Sequence, residues 1–122
     1  MKTLEESVTQ YANAWNIQGI DNIKAALQGC WAPESTYVDT QNEMVTGIDG
    51  LAALIDAFHR QAPRHLLQQV SKVDAHHNCA RFTWVNLGPN GEKMEGMDYC
   101  EYNDQNVITC IVGFFGPFTD LQ

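Results

Sequence analysis

The patterning of apolar residues changes from helical to strand-like at Arg64, and this change most limits the folds that the chain can adopt. Before Arg64, apolar residues recur every three or four positions, which is typical of helices that bury one face. After it, apolar and polar residues alternate in four runs separated by turn residues. Helices followed by such runs predict an α+β domain with the helices packed on one face of a curved antiparallel sheet. Such a sheet, bent around helices, leaves a conical cavity between the two layers.

Three helices are predicted in the first half of the chain. The first covers residues 3–16, the second ends near Gly29, and the third ends at Pro63. Between the second and third helices, residues 35–40 and 44–47 predict a short β-hairpin.

Four strands are predicted in the second half, over residues 65–75, 79–88, 94–102 and 107–115. With 122 residues in all, the chain fits one domain, residues 1–122, with a single core.

The strand 94–102 carries one acid, Asp98, in its middle. Alternation places Asp98 on the same face as Gly96 and Cys100, whereas Glu95 and Glu101 mark the opposite face as partly wet. A carboxyl group among apolar neighbours has a raised pKa and acts as a hydrogen-bond donor when it is protonated. An ordinary buried acid, satisfied by backbone N–H groups, explains the pattern equally well.

Composition excludes several classes of partner. Seven basic and 15 acidic residues give a net charge of −8, which argues against nucleic acid and anionic membranes as partners. No apolar run approaches the roughly 20 residues of a membrane span, and residues 1–6 lack the pattern of an export signal, so a cytoplasmic protein is expected. The four cysteines have no metal-ligand spacing. Consecutive side chains in a turn, such as His76 and His77, are expected to point apart, so we expect free thiols and no metal.

Short segments spread over nearly the whole chain resemble, in the same order, the NTF2-like superfamily and within it the SnoaL-like and ketosteroid-isomerase-like branch. The segments are Gln10–Asn16, Tyr37–Asp39, Gly47 with Leu51–Ala53, Gly96–Tyr99 and Phe114–Phe115. The resemblance implies a cone-shaped fold with three N-terminal helices packed on a curved antiparallel sheet. It also implies a homodimer formed through the outer sheet face, for which Val85, Met97 and Tyr99 are suitable residues.

The same resemblance implies a catalytic group of Tyr11, Asp39 and Asp98. In the isomerases the aspartate of the first strand is a general base that moves a proton at the carbon α to a carbonyl group. The tyrosine and a protonated aspartate donate hydrogen bonds to the enolate oxygen. By position in this chain, Asp39 is the expected base, and Tyr11 and Asp98 are the expected donors.

The substrate pocket is predicted to be mainly apolar. Its expected lining residues are Trp15, Leu54, Phe58, His65, Phe82, Trp84 and Phe115. His65 is included because some dehydratase and cyclase relatives use a pocket histidine as acid or base. A solvated histidine at the start of a strand is the alternative.

Two classes of function remain open from the sequence. The first is an isomerase or cyclase that needs no cofactor and acts on a small hydrophobic carbonyl compound. The second is a non-catalytic NTF2-like domain that binds a ligand or dimerises. An enzyme of the first class requires a buried Asp98 that faces Tyr11 across an open cavity, and the second class does not.

Overall fold

A computed structural model describes residues 1–122 and contains three helices and seven strands. The helices are α1 (Leu4–Ala14), α2 (Ile20–Leu27) and α3 (Gly47–Gln61). The strands are β1 (Trp31–Asp39), β2 (Asn42–Thr46), β3 (Leu66–Gln69), β4 (Asp74–His76), β5 (Cys79–Leu87), β6 (Lys93–Tyr102) and β7 (Ile108–Phe115). The predicted α+β class is therefore confirmed. The third helix follows the β1–β2 hairpin, so only α1 and α2 precede the sheet in the chain.

The strands form one open, mixed sheet in the order β2-β1-β7-β6-β5-β3, with β4 also paired to β5. All neighbouring pairs are antiparallel except β1 and β7, which are parallel. The prediction of a purely antiparallel sheet was wrong at this pair. Helix α3 carries the chain to the far edge of the sheet, and the strands that follow return step by step until β7 lies beside β1 in the same direction.

The predicted strand 65–75 is interrupted, because side chains replace part of its backbone pairing. The hydroxyl of Ser71 accepts a hydrogen bond from the Thr83 N–H at 2.8 Å. A carboxylate oxygen of Glu5 accepts one from the Val73 N–H at 2.6 Å. These contacts separate β3 from β4, and both short strands pair with β5.

Helix α1 begins at a capping box, in which the Thr3 side chain accepts from the Glu6 N–H and the Glu6 side chain accepts from the Thr3 N–H. Its apolar stripe, which includes Val8, Tyr11 and Ala12, is buried. This stripe packs with α2, α3 and the inner face of the sheet in one core cluster of 18 buried residues.

The predicted alternation is confirmed by burial along β6, and along β5 as far as Trp84; Val85, expected on the outer face, is also buried. On β5, Ala80, Phe82 and Trp84 are buried and Arg81 and Thr83 are exposed. The same pattern buries Gly96, Asp98 and Cys100 on β6. On these two strands the concave, helix-covered face therefore carries one acid, Asp98, which is 4% exposed.

Candidate functional site

A cavity of about 230 Å³ opens between helices α1 and α3 and the concave face of the sheet. Buried side chains, among them Tyr11, Tyr37 and Asp98, form its deep wall. The exposed side chains of Gln41 and Gln61 lie at its mouth. The cavity is therefore open to solvent at one end and enclosed at the other.

The structure brings the three residues of the predicted catalytic group together around this cavity: Tyr11 from α1, Asp39 from the end of β1 and Asp98 from β6. Five of the expected pocket residues also line it, namely Trp15, Leu54, Phe58, Trp84 and Phe115.

Two expected pocket residues, Phe82 and His65, lie outside the cavity lining. Phe82 is directly opposite Asp98 in the β5–β6 ladder and is 2% exposed, so it belongs to the closed core beneath the cavity. His65 lies before β3, where its Nδ1 is 3.4 Å from the Pro63 carbonyl oxygen. Its ring packs edge-to-face with the ring of Phe58, which does line the cavity, at a centroid distance of 6.3 Å.

Glycine 113 of β7 allows the two acids to converge. Asp98 is opposite Gly113 in the β6–β7 ladder, and Val38, next to Asp39, is opposite Val112 in the β1–β7 ladder. A Cβ atom at Gly113 would lie 3.1 Å from Asp98 Oδ1 and 3.2 Å from Asp39 Cβ. Gly113 was not among the predicted site residues, although a glycine inside a strand often marks such a close approach.

Trp84 holds the carboxyl group of Asp98 by a hydrogen bond. The indole Nε1–H of Trp84 donates to Asp98 Oδ1 at 3.0 Å. The indole lies across Gly96, its partner in the β5–β6 ladder, and a Cβ atom there would be 2.1 Å from the ring. Gly96 therefore makes room for the ring orientation that reaches Asp98.

Burial raises the pKa of Asp98 from its usual 3.8 to about 7. The hydrogen bond from Trp84 stabilises the carboxylate and opposes this rise, whereas the nearby negative charge of Asp39 adds to it. Asp98 is consequently divided between its acid and carboxylate forms near neutral pH, which suits a group that both takes up and returns a proton.

The raised pKa of Asp98 predicts a pH-dependent stability. Because the folded protein keeps this proton up to about pH 7 and the unfolded chain loses it near pH 4, the free energy of unfolding falls as the pH rises between these values. Between pH 5 and pH 8 we expect the free energy of unfolding of wild type to fall by about 3 kcal/mol more than that of Asp98→Asn. Urea unfolding monitored by tryptophan fluorescence measures both values. Parallel pH dependence of the two proteins would contradict the raised pKa.

Asp39 lies in a different environment, because hydrogen-bond donors surround both of its oxygens. The Tyr37 hydroxyl donates to Oδ2 at 2.6 Å, and the Gln41 N–H donates to Oδ1 at 2.8 Å. The Asn42 amide donates to Oδ1 at 2.9 Å and to Oδ2 at 3.1 Å. Three donor groups therefore make four contacts with the two oxygens of Asp39.

Tyr37 and Asn42 were not among the predicted site residues. Alternation could have identified Tyr37, which is two residues before Asp39 and so lies on the same face of β1. The contact of Asn42 with Asp39 arises because these two residues pair across the hairpin, where the register is irregular. Local sequence patterns do not reveal such a register.

Burial is also the largest cause that raises the pKa of both cavity tyrosines. For Tyr11, the negative charge of Asp98 raises the pKa further, and a hydrogen bond with Trp15 partly offsets this rise. For Tyr37, the hydrogen bond that its hydroxyl donates to Asp39 raises the pKa further. The ring of Tyr11 is stacked on Trp31 at a centroid distance of 5.6 Å. Both phenols therefore stay neutral and can donate hydrogen bonds at physiological pH.

The fold is similar to those of solved SnoaL-like and ketosteroid-isomerase-like proteins. A solved structure from Agrobacterium tumefaciens, assigned as an isomerase of the SnoaL-like family, is 27% identical and matches 95% of this chain and 100% of its own length with a TM-score of 0.83. The resemblance inferred from the sequence is thereby confirmed.

Two further structures match at lower identity. A protein from Catenulispora acidiphila with a ketosteroid-isomerase-like fold, in complex with trimethylamine, is 19% identical and matches 93% of this chain and 88% of its own, with a TM-score of 0.76. A protein from a Jannaschia species, assigned as a SnoaL-like polyketide cyclase, is 15% identical. It matches 94% of this chain and 89% of its own, with a TM-score of 0.73. At these identities the two comparisons show the fold alone. No protein-family model matches the sequence, and no curated protein matches it.

None of the three helices has the length and apolar character of a membrane-spanning helix. The structure contains no group of three or more His, Cys, Asp or Glu side chains placed to hold a metal ion.

Proposed function

We propose that this protein catalyses proton transfer at the carbon α to a carbonyl group of a small hydrophobic molecule, as an isomerase or cyclase that needs no cofactor. The observation that carries the proposal is the buried Asp98, which faces a ligand-sized cavity and has a pKa of about 7. A general acid–base group works best when its pKa lies near the operating pH. The likeness to a SnoaL-like protein assigned as an isomerase supports the same class of reaction.

The hydrogen bonds favour Asp98 as the group that moves the proton. Asp39, the base expected from the family resemblance, would have to give up one of its four hydrogen bonds to accept a proton. Asp98 is held only by Trp84, through Oδ1, which leaves Oδ2 for the substrate. In this proposal the negative charge of Asp39 raises the pKa of Asp98, and its carboxyl group orients the hydroxyl of Tyr37.

The proposed reaction has two proton transfers. The carboxylate of Asp98 takes a proton from the α-carbon, and the electrons of the C–H bond move to the carbonyl oxygen to form an enolate. The neutral hydroxyl of Tyr11 donates a hydrogen bond to this oxygen, and such preorganised donors are worth several kcal/mol in related sites. Asp98 then returns the proton to the same or a conjugated carbon.

Deuterium exchange tests this chemistry without knowledge of the natural substrate. In D₂O, wild type is expected to exchange the α-protons of 1-tetralone faster than buffer does, as followed by proton NMR. Asp49→Asn is a matched control, because Asp49 lies on α3 with its side chain 88% exposed. Exchange no faster than in buffer, for both 1-tetralone and 2-cyclohexenone, would contradict the proposal.

A second candidate function is binding of a small ammonium compound without catalysis. The lining of the cavity contains two acids and several aromatic rings and no Lys, Arg or His, and aromatic faces with carboxylates attract ammonium groups. The fold relative from Catenulispora acidiphila is in complex with trimethylamine. Calorimetric titration distinguishes the two candidates: tight binding of trimethylamine by a protein that exchanges no α-protons supports binding alone.

Homodimer formation through the outer sheet face stays a prediction from the family resemblance, as does the cytoplasmic location. In the single chain Met97 and Tyr99 are half-buried on that face, and Val85 is buried. Phe114, opposite Met97 in the β6–β7 ladder, is 49% exposed and extends the same surface.

A further inference from the structure

Asp98 lies at the closed end of the cavity, so a bound substrate would separate it from the solvent. Asp98 is 4% exposed, whereas the exposed side chains of Gln41 and Gln61 lie at the mouth. A molecule that occupies the cavity lies between these two ends. Under the proposed function, the proton that Asp98 takes from the substrate then needs a route along the cavity wall to reach the solvent.

Tyr37 and Asp39 of β1 form a hydrogen-bonded pair in this wall. The Tyr37 hydroxyl donates to Asp39 Oδ2 at 2.6 Å. Tyr37 is buried and Asp39 is partly exposed. The other donors to Asp39 are the N–H of Gln41, at the mouth, and the side chain of Asn42. The pair therefore connects a buried phenol with a carboxyl group next to the mouth.

Gly113 of β7 lets this pair approach Asp98. The position that a Cβ atom of Gly113 would take is 3.1 Å from Asp98 Oδ1 and 3.6 Å from Tyr37 Oη. The same position is 3.2 Å from Asp39 Cβ. Because glycine has no Cβ atom, residue 113 places no side chain in the space beside these three groups.

The direction of the hydrogen bond suits Tyr37 for passing on a proton. Its single hydroxyl proton is engaged with Asp39, so its oxygen has only acceptor lone pairs left for a second partner. Burial raises the pKa of Tyr37 most, and the hydrogen bond to Asp39 and the charge of Asp98 raise it further. The phenol therefore stays neutral, and a proton can leave it for Asp39 only as another arrives at its oxygen.

We propose that Tyr37 and Asp39 form a proton relay that exchanges the proton of Asp98 with the solvent while a substrate occupies the cavity. The inference rests on the proposed function, in which Asp98 takes a proton from the α-carbon. Asp98 passes this proton to Tyr37 Oη, directly or through one water molecule, as the hydroxyl proton of Tyr37 moves to Asp39 Oδ2. Asp39 then releases a proton at the mouth, and the reverse sequence brings one in. Each O–H bond that breaks is replaced by one on the next oxygen, so no further reactant is needed.

Isomerisation of 3-cyclohexenone in D₂O measures the relay. Asp98 takes a proton from C2, and C4 of the product, 2-cyclohexenone, then receives a proton from Asp98. This atom is protium if Asp98 returns the same proton, and deuterium if the relay exchanges it first. The ratio of deuterium to protium at C4 is measured by NMR at low conversion, after subtraction of the buffer reaction. As a ratio per product molecule, it does not depend on the number of turnovers that a variant completes.

Tyr37→Phe keeps the ring and removes the hydroxyl. We expect the ratio to fall by at least about tenfold, because a group that transfers a proton usually contributes that much or more. Asp39→Asn should lower the ratio as well, since its amide still accepts the hydrogen bond from Tyr37 but does not take up the proton. Tyr99→Phe is the matched control, because the Tyr99 hydroxyl donates to Glu101 Oε2 at 2.7 Å in a similar pair on the outer sheet face. This control should keep the wild-type ratio.

The outcomes separate the relay from the proposed function. An unchanged ratio in Tyr37→Phe or in Asp39→Asn, an equal fall in Tyr99→Phe, or a wild-type product without deuterium at C4 would overturn the relay. Any of these results, obtained while wild type isomerises 3-cyclohexenone, leaves the proposed reaction standing. A wild-type protein that neither isomerises 3-cyclohexenone nor exchanges the α-protons of 1-tetralone contradicts the proposed function and the relay together.

Discussion

Asp98→Asn is expected to slow the enzymatic exchange of α-protons in 1-tetralone by about 10²- to 10⁴-fold, which is the usual contribution of a general acid–base group. Asparagine has nearly the same shape as aspartate, and its Oδ1 can still accept the hydrogen bond from Trp84 Nε1. The substitution therefore removes the proton-carrying oxygen and keeps the local packing. The exchange rate, measured by proton NMR in D₂O, gives the effect directly.

Asp39→Asn is the informative comparison for this prediction. We expect a smaller loss of exchange, because Asp39 acts in the proposal by holding Tyr37 and by its charge near Asp98. The opposite result, with Asp39→Asn inactive and Asp98→Asn active, would return the role of base to Asp39. It would then support the assignment that the family resemblance implies.

Gly96→Ala is expected to lower the free energy of unfolding by about 3 kcal/mol, because over-packing of a buried site forces its neighbours to move. The added Cβ would lie 2.1 Å from the indole of Trp84, which is 6% exposed. To make room, Trp84 would have to leave its edge contact with Phe115, at a centroid distance of 5.5 Å, and its hydrogen bond to Asp98. Urea unfolding measures the loss.

A double-mutant cycle tests the cause of this effect. In a Trp84→Leu background, Gly96→Ala should cost less than about 1 kcal/mol, because the ring that it displaces is absent. The same cost in both backgrounds would show that the clash with Trp84 is not its origin. Loss of exchange activity in Gly96→Ala alone is a further expected consequence, since Trp84 positions Asp98.

Periodicity predicted the parts of this fold that depend on local pattern. The stripe of α1 and the alternation of β5 and β6 each place one face against the core, and burial of that face is the main driving force for both. The burial of Asp98 followed from the same alternation. These features depend on neighbours within one element, so the sequence contains enough information to identify them.

The parts that depend on distant pairing did not follow from the sequence. The parallel contact between β1 and β7 results from the path of the whole chain after α3. The approach of Asp39 and Asp98 over Gly113 requires both of the ladders that flank β7. The hydrogen bonds around Asp39 require the irregular hairpin register. Each involves residues that are remote in the sequence or a turn geometry without a clear signature.

The pH profile of α-proton exchange tests the central claim most directly. Because the carboxylate of Asp98 is the proposed base, the wild-type rate should rise with pH through an apparent pKa near 7 and then level off, after subtraction of the buffer rate. Asp98→Asn should show no such rise. A wild-type profile without an inflection between pH 6 and pH 8, or an inflection that persists in Asp98→Asn, would contradict Asp98 as the group that transfers the proton.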